Sequence, residues 1–145
     1  MKTGPPFYLR WLMQLHRLLY RASAGRIGSR LDGMPVLELY TVGRKTGETR
    51  THLLTYLREG NAFIIAGSNW GQDRPPGWFF NIEAHPQARI QVRGRMIAVR
   101  ARETEGTERD KLWRKFKVIG SNYAGYEQTA KRVIPVIALE PLETS

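Results

Sequence analysis

The sequence predicts a small, largely antiparallel β-barrel, mainly β within the α+β class, with short helices packed outside it. Six segments are rich in β-branched residues and alternate between apolar and polar positions, as strands do when one face is buried. Two links between such segments, at residues 59–61 and 94–95, are short and contain glycine, which favours antiparallel hairpins. Because the helical segments are few and short, a doubly wound parallel sheet is not expected.

The predicted elements follow one another along the chain without a linker or an internal repeat. The strands are Val36–Thr41, Thr49–Arg58, Ala62–Gly67, Ala88–Arg93, Met96–Arg102 and Ile134–Glu140. The helices between them are Pro76–Ala84, Thr107–Lys117 and Tyr126–Lys131. A chain of 145 residues suits one hydrophobic core. We therefore predict a single domain over residues 1–145, in which residues 1–30 form a helix and its linker.

The N-terminal segment is predicted to be a basic amphipathic helix from Phe7 to Ala22. Apolar residues recur there at helical spacing, and Arg10, Arg17 and Arg21 form the opposite stripe. Such a helix either packs on the domain or lies on an anionic membrane surface. No apolar run approaches the ~18 residues of a spanning helix, and no signal peptide is visible. The sequence thus predicts a cytoplasmic protein, with peripheral attachment to the inner face of the cell membrane as an alternative.

Composition restricts the partners further. The net charge of +10 favours an anionic partner: nucleic acid, a membrane surface or a polyanionic small molecule. The absence of cysteine excludes disulfides and thiolate nucleophiles, and the three histidines lack ligand spacing, so no metal site is expected. Nucleic acid is not expected either, because the aromatic residues do not occupy adjacent strands as stacking platforms.

One turn concentrates positive charge between two predicted strands. The segment GRKTGETR, residues 43–50, carries Arg44, Lys45 and Arg50. Gly43 and Gly47 permit positive φ and close backbone approach, so amide N–H groups can point into one concavity. The spacing matches neither a Walker loop nor a dinucleotide fingerprint. Taken alone, this turn is either a phosphate cradle or a solvated hairpin end.

Four motifs that follow one another along the chain help to choose between these two interpretations of the turn. They are GRKTGETR, AGSNWGQDRPPGWFFNIEAHP, RIQVRGR and NYAGYEQTAKRVIPVIALEP. Their order and their distances resemble the deazaflavin-dependent nitroreductase family of the flavin/deazaflavin oxidoreductase superfamily, which uses coenzyme F420. The resemblance covers roughly residues 30–141.

The resemblance implies a split β-barrel that transfers a hydride from reduced F420 to a planar electrophilic acceptor, such as a quinone, an activated enone or a nitro compound. In this family the basic turn holds the phosphate and the acidic tail of the cofactor. Here that role falls to Arg44, Lys45 and Arg50, together with Thr46 and Gly47 of the same turn. FMN is the alternative cofactor, and a non-catalytic lipid- or ligand-binding protein at the membrane surface is the alternative function.

The resemblance also implies a ring side of the cofactor site. The corresponding residues are Ala66, Gly67, Ser68, Asn69 and Trp70. Ser68 is the predicted polar contact to the deazaflavin ring. Trp78 and Asn81 match a W-x-x-N motif, whose aromatic residue lies near the ring and whose asparagine orders the site. By residue type alone, Ser68 would be a strand-end cap and Trp78 a core aromatic residue.

Tyrosines spaced by three line the acceptor pocket in the nitroreductase branch. Tyr123 and Tyr126 match this pattern, and with Ser68 they are the predicted catalytic residues, because a hydroxyl can stabilise negative charge that develops on the acceptor oxygen. Gly120 stands where another tyrosine would continue the spacing, which predicts a wider or differently shaped pocket. Ordinary packing on a helix is the alternative for both tyrosines.

Overall fold

The computed structural model describes residues 30–31, 34–120, 123–130 and 132–142. The β-strands are β1 (Arg30–Leu31), β2 (Met34–Val42), β3 (Thr49–Thr55), β4 (Leu57–Glu59), β5 (Ala62–Ala66), β6 (Gln87–Val92), β7 (Arg95–Glu103) and β8 (Val136–Pro141). The α-helices are α1 (Gly77–Ala84), α2 (Gly106–Ile119) and α3 (Tyr123–Ala130), and a short 3₁₀ helix spans Asn69–Gly71. The predicted helix Phe7 to Ala22 lies outside the described residues, and the single domain over residues 1–145 stays a prediction.

The strands form one antiparallel sheet that curls back on itself. Its order is β1-β2-β6-β7-β8-β5-β4, and β3 pairs with β2. Only Tyr56 separates β3 from β4, so the chain itself joins the far end of the sheet to the strand beside β2. The Tyr56 amide donates a hydrogen bond of 3.0 Å to the Pro35 carbonyl at this junction. The predicted antiparallel barrel is therefore confirmed.

Two hydrophobic clusters lie on opposite faces of the curled sheet because strand side chains alternate. On β8, Ile137 and Leu139 belong to the cluster inside the barrel, whereas Val136 and Ala138 belong to the cluster outside it. The inner cluster also receives Trp78 and other side chains of α1. The outer cluster receives Trp113 and its neighbours on α2, so that helix covers the outer face.

Most predicted boundaries lie within two residues of the observed ones, and three of the differences have a clear local reason. The predicted strand Thr49–Arg58 breaks at Tyr56, because its two halves pair with β2 and β5 respectively. The strand predicted to reach Gly67 ends at Ala66, where Gly67 begins the next loop. The last helix begins at Tyr123 rather than Tyr126. Periodicity does not show these breaks, since the apolar pattern continues across them.

Candidate functional site

The basic turn that joins β2 to β3 is closed by short backbone hydrogen bonds. The Gly43 amide donates to the Glu48 carbonyl over 2.7 Å, and the Gly47 amide donates to the Gly43 carbonyl over 2.8 Å. Gly47 has a positive φ of 75°, as predicted, whereas the φ of Gly43 is not positive. A Cβ on Gly43 would lie 3.0 Å from Thr46 Oγ1, so lack of space and not backbone conformation favours glycine there.

Asn81 of α1 fastens this turn to the barrel. Its Oδ1 accepts hydrogen bonds from the backbone amide of Arg44 (3.2 Å) and from Arg44 Nη1 (3.3 Å). Its Nδ2 donates to Thr41 Oγ1 over 3.1 Å, and the asparagine is only 6% exposed. The Arg44 guanidinium also lies 5.0 Å from the centre of the Phe80 ring. The two motifs that the sequence analysis placed in one site are thus in direct contact.

The remaining cations of the turn point to solvent. Arg50 forms a loose ion pair of 3.7 Å with Glu48, and both side chains are exposed. Within the part of the chain that the structure describes, no carboxylate forms an ion pair with Lys45, which is also exposed. The Thr46 hydroxyl accepts a hydrogen bond of 3.2 Å from the Glu48 amide and so shapes the turn. The turn therefore presents uncompensated positive charge on a fixed backbone.

The second predicted segment forms a loop, residues 67–74, which we call the ring-side loop. The Gly67 amide donates to the Pro135 carbonyl over 2.8 Å, and a Cβ on Gly67 would lie 2.8 Å from Pro135 Cγ. Asn69 has φ of 46°, and its Nδ2 donates to the Arg74 carbonyl over 2.9 Å. Gly67 also lies beside Pro76, which caps the N-terminus of α1. One short helix therefore connects the ring-side loop to the basic turn.

The Ser68 side chain is half-buried at the start of the 3₁₀ helix, yet it does not cap that helix. The structure thus does not support the alternative of an ordinary cap, and no hydrogen bond joins this hydroxyl to another described residue. Ala66 is the last residue of β5 and is half-buried. Trp70 lies in the 3₁₀ helix, and its side chain lies outside what the structure describes.

Arg132 holds the ring-side loop from inside, a role that the sequence analysis missed. Its Nη2 donates to the carbonyls of Gly67 (3.0 Å), Ser68 (3.2 Å) and Arg74 (3.1 Å), and its Nε donates to the Gln72 carbonyl over 3.0 Å. Burial lowers the pKa of the Arg132 guanidinium from its ordinary value. Nothing in the sequence separates this arginine from Lys131 beside it, since both are cations shortly before a predicted apolar strand.

The ring-side loop also packs directly on α3. Gly71 has φ of 76°, and a Cβ there would lie 2.3 Å from Thr129 Oγ1 and 3.2 Å from Tyr126 Cα. Thr129 Oγ1 lies within hydrogen-bond distance of the Gly71 carbonyl (3.3 Å) and of the Gly125 carbonyl of its own helix (3.1 Å), which share its one proton. Both conditions, the left-handed backbone and the lack of space, require glycine at this position. Tyr126 thus lies against the loop that carries Ser68.

Tyr123 is packed further inside the same region. Its ring lies 5.7 Å from that of Tyr126 and 5.1 Å from that of Phe116, centre to centre. Its hydroxyl forms a hydrogen bond with Thr55 Oγ1 on β3. Tyr123 therefore connects α3 to strand β3 of the barrel. Both Tyr123 and Tyr126 are half-buried.

Gly120 does not open the pocket, which corrects the prediction of a wider one. It is buried, and a Cβ at this position would lie 2.3 Å from Tyr123 Cδ2 and 3.1 Å from Met34 Sδ. Its φ of −95° is ordinary. The space in which another tyrosine was expected is filled by the Tyr123 ring.

Trp78 is 2% exposed and packs within the inner cluster. This burial matches the core aromatic residue that its type alone suggests, and contact with a cofactor ring stays a prediction.

Trp113 Nε1 on α2 donates a hydrogen bond to Glu127 Oε2 on α3, and Lys117 Nζ lies 3.4 Å from Glu127 Oε1. These two partners, the indole first, hold the pKa of Glu127 below its usual value.

Two kinds of site or segment are absent from the described residues. No group of three or more His, Asp or Glu side chains there could hold a metal ion. No helix among them is both long and apolar enough to cross a membrane.

Comparisons with known proteins identify the family. A profile of the F420H(2)-dependent quinone reductase family matches residues 12–141. The chain is 39% identical over 132 residues to an F420H(2)-dependent quinone reductase of Mycobacterium tuberculosis, covering 88% of this chain and 89% of that protein. A solved F420-H2-dependent reductase, FDR-A, superposes with a TM-score of 0.67 at 31% identity, covering 73% of this chain and 94% of its own. A structure described as a domain-swapped dimer superposes with a TM-score of 0.69 at 28% identity, covering 91% of this chain and 98% of its own. The chain therefore belongs to the F420H(2)-dependent quinone reductase family.

Proposed function

We propose that the basic turn, the ring-side loop and α3 form the three parts of one site in this F420H(2)-dependent quinone reductase. The family's reaction is hydride transfer from reduced coenzyme F420 to a quinone-type acceptor. The observation that carries the assignment of the site is the double attachment of α1. Its Asn81 fixes the basic turn, and its first residue follows Pro76, which touches the ring-side loop.

The basic turn is proposed to hold the tail of the cofactor. That tail is a phosphodiester followed by glutamates, so it requires several cations on a fixed backbone. Lys45 has no ion-pair partner among the described residues, and Arg44 is held in place by Asn81 and Phe80. Arg50 needs only to exchange its exposed partner Glu48 for the ligand. Thr46 and Gly47 keep the backbone of the turn in shape.

The ring-side loop is proposed to hold the ring system. When bound, the reduced deazaflavin supplies a hydride from a ring carbon and does little one-electron chemistry. The loop contributes orientation: Gly67 packs against Pro135, and Asn69 is tied to the Arg74 carbonyl. The Ser68 hydroxyl makes no hydrogen bond to another described residue, which leaves it able to bind a polar atom of the ring. Asn69 and Ala66 support this position, and the Trp78 ring supports it from the core.

The acceptor is proposed to lie on the α3 side of the loop. Tyr126 contacts Gly71 of the loop, so its ring is closer to the cofactor side than that of Tyr123. We assign Tyr126 as the hydroxyl that binds the acceptor oxygen and stabilises its developing negative charge. Tyr123 supports it through the edge-to-face contact of their rings and the bond to Thr55. Solvent then protonates the reduced acceptor, because no acid–base pair is visible among the described residues.

Titration of the protein with oxidised F420 and with FMN, followed by fluorescence, tests the choice of cofactor. We expect saturable binding of F420 and much weaker binding of FMN, because FMN lacks the glutamate tail that the turn would bind. A protein that preferred FMN, or that bound neither, would contradict the proposed site. Turnover with quinones and with nitro compounds then shows whether nitroreduction accompanies quinone reduction.

The N-terminal segment supports a further part of the proposal, a peripheral position on the cytoplasmic face of the membrane. The support is sequence alone: arginines oppose apolar residues at helical spacing, and quinones dissolve in membranes. Cosedimentation with anionic and neutral vesicles tests it, since charge-driven binding requires acidic lipid and decreases with salt. A protein that stayed in the supernatant at low salt would exclude membrane attachment.

A further inference from the structure

Arg132 is the most connected side chain of the site, although it contacts no predicted catalytic side chain. One guanidinium donates to four carbonyl oxygens of the ring-side loop, two at its start and two near its end. These bonds close the loop into a ring around the arginine. Such a loop has fewer accessible conformations than one held at its ends only.

The loop gains this order at a cost. Arg132 Nη1 is buried, and no described residue accepts a hydrogen bond from it. A buried unpaired donor opposes folding, so a chain that needed only stability would gain from a smaller or apolar residue here. The arrangement is better explained by a need for one loop geometry.

The loop in turn packs on α3 at Gly71. Gly71 lies so close to Tyr126 and Thr129 that a methyl group does not fit between them, and its carbonyl lies 3.3 Å from the Thr129 hydroxyl, which is shared with the Gly125 carbonyl at 3.1 Å. The loop segment proposed for the cofactor and the helix proposed for the acceptor are thus packed against each other without spare room at Gly71.

We propose that Arg132 is a positioning residue that sets the ring-side loop and, through Gly71, fixes Tyr126 relative to Ser68. This rests on the proposed function, because it assigns the loop to the cofactor and α3 to the acceptor. Cofactor binding and acceptor binding then depend on the same clamp, and changes in Arg132 affect both.

The matched control is Arg109. Like Arg132 it is half-buried; its Nη2 and Nε donate to the Ile134 carbonyl over 2.7 Å and 3.3 Å, and its Nη1 donates to Asp110 over 3.2 Å. It stacks near Trp113 and has no described contact with the ring-side loop. Arg109→Met therefore removes a comparable set of contacts and reports on stability without the clamp.

Three variants, Arg132→Met, Arg132→Lys and Arg109→Met, are compared by hydrogen exchange of the cofactor-free protein, by Kd for oxidised F420 and by KM for a soluble quinone. We expect Arg132→Met to increase exchange of amides 67–74 and to raise both Kd and KM about tenfold, with Arg132→Lys intermediate. Arg109→Met should lower the melting temperature and leave loop exchange, Kd and KM near wild type. Unchanged loop exchange in Arg132→Met would overturn the inference, as would a rise in Kd or KM for Arg109→Met equal to that for Arg132→Met.

A second pair keeps the test decisive if Arg132→Met does not fold. Gly71→Ala places a methyl group against α3, whereas Gly60→Ala has the same left-handed backbone, φ of 57°, with no atom within 4 Å. Gly71→Ala should raise exchange in α3 and in the loop together; Gly60→Ala should affect neither. Equal behaviour of the two variants would contradict the coupling. Because exchange is measured without cofactor, these results hold even if wild type fails to bind F420, an outcome that would reject the proposed function instead.

Discussion

The basic turn and the ring-side loop both depend on arginine, and they use it in opposite ways. Arg44 is exposed, and its neighbours Asn81 and Phe80 fix where its charge points. Arg132 is turned inward, and its Nε and Nη2 donate to loop carbonyls. In the first region the protein fixes an exposed charge, which the proposed function assigns to the cofactor tail. In the second it uses a charge to order the protein. Counting cations in the sequence cannot separate these two roles, although their expected mutational effects differ.

The largest effect is expected where packing around the tyrosines leaves no room. Gly120→Tyr should prevent folding, and Gly120→Ala should lower the free energy of unfolding by about 1–3 kcal/mol, because the new Cβ meets the Tyr123 ring. Thermal and urea melts measure this. Gly125→Ala on α3 is the control: no atom lies within 4 Å of its Cβ, so stability should rise by about 0.5–1 kcal/mol. If Gly120→Tyr folded normally and changed only the choice of acceptor, the wider pocket would be the correct interpretation.

A smaller effect is expected at the basic turn, where one variant should change both stability and cofactor binding and another should change binding alone. Asn81→Ala removes the buried acceptor of two Arg44 donors and leaves Thr41 without its partner, so it should weaken F420 binding and lower stability by about 1–3 kcal/mol. Lys45→Ala should weaken F420 binding alone, because that side chain is exposed. Melts and fluorescence titrations of both variants separate the two roles. Equal loss of stability in both variants would show that the turn is a structural element only.

The smallest effect is a pH dependence between α2 and α3. Since the pKa of Glu127 is lowered by Trp113 and Lys117, its contribution is present above the unfolded-state pKa of ~4.3 and is lost as the pH falls through the lower, folded-state value. As the pH falls from about 5 to about 3, wild type should lose its stability advantage over Glu127→Gln, and the loss should begin below ~4.3. Melts of both proteins across this range measure it. The effect is small because the carboxylate is partly exposed, and a constant difference across the range would contradict it.

The fold was largely predictable because its signals are local. Alternation and glycine-bearing links placed every predicted strand near its observed range, and the hairpin between β6 and β7 was among them. The break at Tyr56 was not predictable, because it is set by which distant strand each half pairs with. Closure of the barrel depends on that break, so the sequence predicts the strands better than their arrangement.

The site was predictable where its residues form a motif and unpredictable where one contact spans the chain. Two motifs of one family pattern assigned Arg44 and Asn81 to one site, and the structure brings the two residues into contact, while their role in binding stays a prediction. Arg132 reaches residues about sixty positions away, and its burial is decided by folding, so composition marks it as one more surface cation. The prediction of an opening at Gly120 was wrong for the same reason. It was based on the spacing of the tyrosines, and only the packed structure shows the Tyr123 ring in that space.

The central claim, that the basic turn binds the tail while the loop binds the ring, is tested most directly with two ligands and one variant. Wild type and Lys45→Ala are titrated with F420 and with the same deazaflavin lacking the phosphodiester and glutamates. We predict that Lys45→Ala weakens F420 binding about tenfold or more and leaves the Kd of the tail-less ring unchanged. Equal weakening of both ligands, or no change in either, would contradict this division of the site.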